Sequence, residues 1–135
     1  MTSIYAMYKT SDKLEDEGVI LDYGSAGKVK VRRAGPGNER FARVFERKFR
    51  PYRKQFDRGT LEPEVANRLM YEVVAETVII GWEGICDEQG EEIKFTVDNA
   101  VRLFTELPEW FADLFEAAKD AATFREEEIE TDVKN

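Results

Sequence analysis

The first clear hydrophobic pattern is a pair of short strand-like runs. Gly18-Val19-Ile20-Leu21-Asp22-Tyr23 reads as one strand, and Lys28-Val29-Lys30-Val31-Arg32 alternates charged and apolar residues as a half-buried strand does. Gly24-Ser25-Ala26-Gly27 lies between them, so residues 18–33 are expected to form a β-hairpin. Ala34-Gly35-Pro36-Gly37 then breaks the chain, and Asn38 is placed to cap a helix. Phe41, Val44, Phe45 and Phe49 recur at helical spacing, with basic residues on the opposite face. Pro51 is expected to end or kink that helix, with a short helical piece from Tyr52 to a stop at Gly59.

Thr60-Leu61-Glu62-Pro63 predicts the next helix start, with the proline in the first turn. This helix is expected to run to about Gly81. Its first half is amphipathic through Val65, Leu69 and Val73, and its second half is apolar nearly all round. Such a helix is buried on all sides, which puts it at the centre of the fold. A polar loop around Gly90 follows. Thr96 is expected to cap a helix through Phe104, and Pro108 to open a last helix carrying Trp110, Phe111, Leu114 and Phe115.

The predicted fold is therefore mainly α within an α+β class: one domain of about four helices with an N-terminal β-hairpin. Residues 1–12 have no clear period and are expected to be loose, 38–124 form the helical core, and 125–135 form an acidic tail that frays. A chain of 135 residues is long enough for one real core. Nothing near the N-terminus reads as a secretory signal, and no apolar run could span a bilayer, so a soluble protein of the cytoplasm is expected.

Charge changes the picture more than composition does. The net charge is −8, but residues 28–58 hold twelve Lys or Arg against three acids, a local +9. Residues 83–135 hold five basic and sixteen acidic residues, a local −11. Such a division has three readings, in decreasing weight. Two solvated faces partly neutralise each other within one molecule. Alternatively, the basic face of one copy meets the acidic face of the next, making a homo-oligomer, with Arg40, Arg43, Arg47, Arg50, Arg53 and Lys54 as the assembly face. The last is nucleic-acid binding by the same basic helix, which the acidic remainder opposes.

Candidate chemistry is sparse. The chain has no histidine, which removes the commonest general base and nitrogen metal ligand. Cys86 is the single cysteine and is expected to be partly buried and inert. The acids around Gly90 do not have the spacing of a calcium loop, and Gly35-Pro36-Gly37 is not a phosphate loop. No catalytic residue, metal or cofactor is expected, and a binding protein is favoured over an enzyme. Trp82, Trp110, Phe111 and Phe115 are candidates for a client or self-assembly surface, although core packing is the weightier role for each.

Gly81-Trp82-Glu83-Gly84 is followed by the acidic loop Asp87-Glu88-Gln89-Gly90. Then come Phe95-Thr96, Asn99-Ala100-Val101, Leu103-Phe104, Leu107-Pro108 and Phe124-Arg125. In order and spacing, best from about residue 59, this resembles the tail assembly chaperones of long-tailed bacteriophages. Leu21-Asp22-Tyr23-Gly24 and Arg33-Ala34-Gly35 share the likeness. The resemblance implies a protein that binds the tape measure protein in the host cytoplasm, keeps it soluble during tail assembly and is absent from the virion. It also implies a longer frameshifted product that reaches the tail tube protein. Lys134-Asn135 can be encoded AAA-AAC, which gives a slippery heptamer if the Val133 codon ends in A. The alternative is a small phage or bacterial regulator that inhibits a host protein or binds nucleic acid.

Overall fold

A computed structural model describes residues 3–125. Ser3 caps a single helical turn, α1 (Ile4–Tyr8), none of whose residues is buried. Ser11 caps α2 (Asp12–Glu17), accepting from the Leu14 N–H at 3.2 Å. The Ser11 N–H donates to the Phe124 carbonyl at 2.7 Å, which ties this segment to the far end of the described chain.

The hairpin forms as the alternation predicts. Strands β1 (Val19–Asp22) and β2 (Lys28–Val31) pair antiparallel around a tight turn at Gly24–Ala26. Val29 and Val31 are fully buried while Lys28 and Lys30 face out. A third strand, β3 (Ile79–Glu83), pairs antiparallel with β2, giving the order β1-β2-β3. Val31 opposes Ile79 and Lys30 opposes Gly81, so Ile80 is an extra residue in the ladder. This bulge turns Ile80 outward, leaving it 39% exposed between buried Ile79 and half-buried Trp82.

This strand corrects the expected helix. Helix α5 (Pro63–Thr77) starts at the predicted proline but stops before Gly81. Its end is fixed by side chains. The Thr77 hydroxyl bonds back to the Val73 carbonyl at 2.7 Å, and the Asn38 side-chain amide donates to the Thr77 carbonyl at 2.9 Å. The β-branched residues beyond then join the sheet.

Asn38 also caps α3 (Glu39–Phe49) as predicted, its oxygen accepting from the Phe41 N–H at 3.1 Å. After one tight turn at Arg50–Tyr52 comes α4 (Arg53–Arg58), which stops at Gly59. The C-terminal part holds α6 (Val97–Glu106), capped by Thr96, and α7 (Pro108–Lys119), opened by Pro108. Thus α3, α5, α6 and α7 are the four helices of ten or more residues among those described, and the class is mainly helical α+β.

The second half of helix α5 is buried on two sides because it separates two cores, with Glu72 and Glu76 on the side that meets Lys48. Tyr71, Val74 and Ala75 join Val29, Val31, Phe104, Leu114 and Phe124 on one side. Leu69 and Val73 join Val44 and Phe49 on the other. Residues 126–135, where a fraying tail and the slippery codons were expected, lie outside the described residues.

Candidate binding surface

Aromatic side chains from five elements meet in one continuous row. On α3, Phe41, Phe45 and Phe49 lie one turn apart along a single face, with ring centroids 6.4 and 4.4 Å apart. Phe56 of α4 meets Phe49 edge-on at 5.6 Å. In the other direction Phe41 stacks on Phe115 of α7 at 6.4 Å, and Phe115 on Phe111 at 5.5 Å. The row continues through buried Phe104 of α6 to Trp110 at 5.3 Å, to Trp82 of β3 at 6.2 Å, and to Phe95 at 5.0 Å.

The four aromatics singled out in the sequence therefore come together, all half-buried and packed against the larger core. Their packing role is plain. The Trp82 indole N–H donates to the Ile93 carbonyl at 2.8 Å, so its polar end is satisfied. Tyr23 meets Trp110 edge-on at 6.1 Å. Burial raises the Tyr23 phenol above its ordinary value of 10.0; a hydrogen bond with Trp110 opposes this, and the Asp113 charge adds to it.

Of the outward edge of the row, the sequence singles out only Phe115. Phe41, Phe45 and Phe115 are only partly buried, and Phe56 is 52% exposed. A cleft of about 210 Å³ opens beside it, lined by Phe45, Glu46, Phe49, Arg53, Phe56 and Asp57. The helical spacing of the phenylalanines marks them as apolar from sequence. Their partial exposure depends on how far α4 and α7 leave the face of α3 uncovered.

All six residues of the predicted basic face are exposed, on α3 and α4 and at the turn between them. Four of them reach groups of their own chain. Arg40 donates to the Glu76 carbonyl at 2.8 Å, and Arg47 approaches the Glu76 carboxylate at 3.5 Å. Arg50 and Arg53 both hold Glu46, at 3.3 and 2.9 Å. Lys48 adds contacts to Glu72 and Glu76 of α5 at 3.6 and 3.1 Å. Arg43 and Lys54 enter no ion pair among the described residues. Exposed pairs contribute at most about 1 kcal/mol each, so the Arg50 and Arg53 pairs add little, while the Arg47 and Lys48 pairs with Glu72 and Glu76 link α3 to α5.

Cys86 is exposed, not partly buried as expected, because the helix thought to lead into it is the strand β3. The acids after it form a loop tip. The Asp87 carboxylate accepts from the Gln89 and Glu91 N–H groups, both at 2.9 Å. Among the described residues no group of three or more Cys, Asp or Glu could hold a metal ion, and no helix is long and apolar enough to cross a membrane.

Compared with known proteins, residues 36–135 match the model of a family described as YdaY prophage protein. No curated protein matches the chain, and no solved structure does.

Proposed function

From the premise that the chain belongs to the YdaY prophage protein family, we propose that it is a tail assembly chaperone. It binds the tape measure protein in the host cytoplasm, keeps it soluble during tail assembly and is absent from the finished virion. The observation that carries this reading is the aromatic edge of partly buried Phe41, Phe45 and Phe115 and exposed Phe56. Helical clients present apolar residues in a stripe, and a row of rings on a helical scaffold accepts such a stripe without a deep pocket. Aromatic rings supply large contact area at low conformational cost.

The surroundings suit a coat that must come off again. One arginine and two acids rim the edge, Arg53, Glu46 and Asp57, which keeps the loaded complex hydrated while the rings bury apolar client surface. The order of motifs from about residue 59 supports the same reading. Gly81-Trp82 now sits on β3, and the acidic loop after it forms an exposed tip.

The test is co-expression with the tape measure protein of the same prophage. The wild-type chain is expected to carry it into the soluble fraction and to co-purify with it. The Phe45→Ser/Phe56→Ser variant is expected to stay folded and lose both effects. A tape measure protein equally insoluble with and without the chain would sink the proposal. Recovery of a host enzyme instead would replace it with the inhibitor reading.

A further inference from the structure

The two edges of the sheet differ. Strand β3 is blunted by the bulge at Ile80, which breaks the regular spacing a further strand would need. Strand β1 carries no proline, bulge or inward-pointing charge along Val19-Ile20-Leu21-Asp22. Among the described residues it packs closely along β2 alone. The hydrogen-bond phase of the hairpin fixes which groups face the open side. The Tyr23 N–H donates to the Gly27 carbonyl at 2.9 Å, and across β2 the Arg32 N–H donates to the Val78 carbonyl at 2.7 Å. Bonded pairs alternate along an antiparallel ladder, so the N–H and carbonyl groups of Ile20 and Asp22 point away from β2. They meet no backbone partner among the described residues. The side chains show the same gap. Val29 and Val31 of the middle strand are fully buried, yet Val19 and Leu21 on the same face are only partly buried. On the outer face Ile20 is 58% exposed.

We infer that β1 pairs antiparallel with β1 of a second copy, about a two-fold axis through Leu21, which joins two three-stranded sheets edge to edge. In this register Ile20 of each copy faces Asp22 of the other, so the outward groups of both residues find partners. The two Leu21 side chains meet on the axis as a non-bonded pair, with Cα atoms about 4.5 Å apart, and close the gap in the inner face. Charge favours the same alignment. Lys30 flanks Ile20 on β2 and enters no ion pair among the described residues. Asp22 of the second copy arrives on the other side of Ile20, two strands or about 10 Å from Lys30. The lysine stem closes that span while covering the isoleucine. The neighbouring registers fail. One sets Asp22 against Asp22, like charges directly opposed. The other sets Asp22 against Gly18, whose N–H already donates to the Leu14 carbonyl at 2.8 Å.

The experiment follows the full chain through a dilution series by sedimentation velocity and amide hydrogen exchange. Monomer should pass to dimer as concentration rises. Exchange at Ile20 and Asp22 should slow about tenfold when about nine-tenths of the chains are paired. Ile20→Pro removes an outward N–H and none of the hairpin's own bonds, so it should keep the fold, by circular dichroism, and lose the dimer. Should that variant unfold, a cysteine pair decides. Leu21→Cys with Cys86→Ser should give a disulfide-linked dimer on mild oxidation, since a separation of about 4.5 Å suits the bond. Ile20→Cys with Cys86→Ser faces Asp22 and should give several-fold less. A monomer at every concentration, a dimer that survives Ile20→Pro in the folded chain, or equal linking of the two cysteine variants would overturn the inference. Slowed exchange centred on Arg43 and Lys54 would also overturn it, placing the contact on the basic face.

Discussion

Asn38 joins three parts of the fold, and replacing it tests how much that junction stabilises. Its side-chain oxygen caps α3 at the Phe41 N–H, while its amide donates to the Arg33 and Thr77 carbonyls, both at 2.9 Å. One side chain thus starts α3, holds the end of the hairpin and closes the end of α5. Losing a cap costs about 1 kcal/mol, and each lost hydrogen bond to a half-buried carbonyl costs about 1 kcal/mol more. Asn38→Ala is therefore expected to destabilise by about 3 kcal/mol. Asn38→Ser keeps a capping oxygen but cannot reach both carbonyls, so it should cost about 2 kcal/mol. For a chain of this length about 4 °C of Tm accompanies each kcal/mol, so the alanine variant should melt about 12 °C lower. Urea unfolding of the three proteins, with an unchanged slope, measures the series. Serine at wild-type stability would show that the two donated bonds contribute nothing. Serine as poor as alanine would show the same of the cap.

Gly18 has φ +91°, and a Cβ there would approach the Val31 carbonyl oxygen to 2.9 Å as well as Ile80. Gly18→Ala should cost about 2–4 kcal/mol, against about 1 kcal/mol for Gly24→Ala, where φ is +65° but the space is open; equal losses in thermal unfolding would refute the clash. Tyr23 gives a pH signature. Its folded-state phenol is raised by burial, so its contribution is complete below pH 10.0 and is lost as pH rises through the higher folded value. Stability should therefore fall above pH 10, more steeply in wild type than in Tyr23→Phe, and identical slopes would exclude the phenol as the cause.

The hairpin, the Asn38 and Thr96 caps and the proline helix starts were legible because each is set by residues adjacent in sequence. The run from Val73 to Ile80 was not. It is apolar apart from Glu76 and Thr77, so it carries neither a period of 3.6 nor of 2 that separates helix from strand. Thr77, Val78, Ile79 and Ile80 do form a β-branched cluster, which was the available signal. What ends the helix at Thr77 is an amide from Asn38, thirty-nine residues away in sequence. The candidate surface divides the same way. Phe41, Phe45, Phe111 and Phe115 were visible as apolar helical positions, and the structure adds which edges their neighbours leave bare. The exposure of Cys86 was misread because it follows from β3.

Helix α5 has no solvent-facing apolar stripe of the usual kind; it is a wall with a core on each side. Neither side can loosen without withdrawing support from the other, since Val73 and Val74 are neighbours on one backbone and both are fully buried. The aromatic row crosses from one side to the other at the Phe41–Phe115 contact. The chain therefore gains and loses its structure as a single cooperative unit. Within the described residues, a change that loosens Phe41 or Phe115 therefore weakens both cores together.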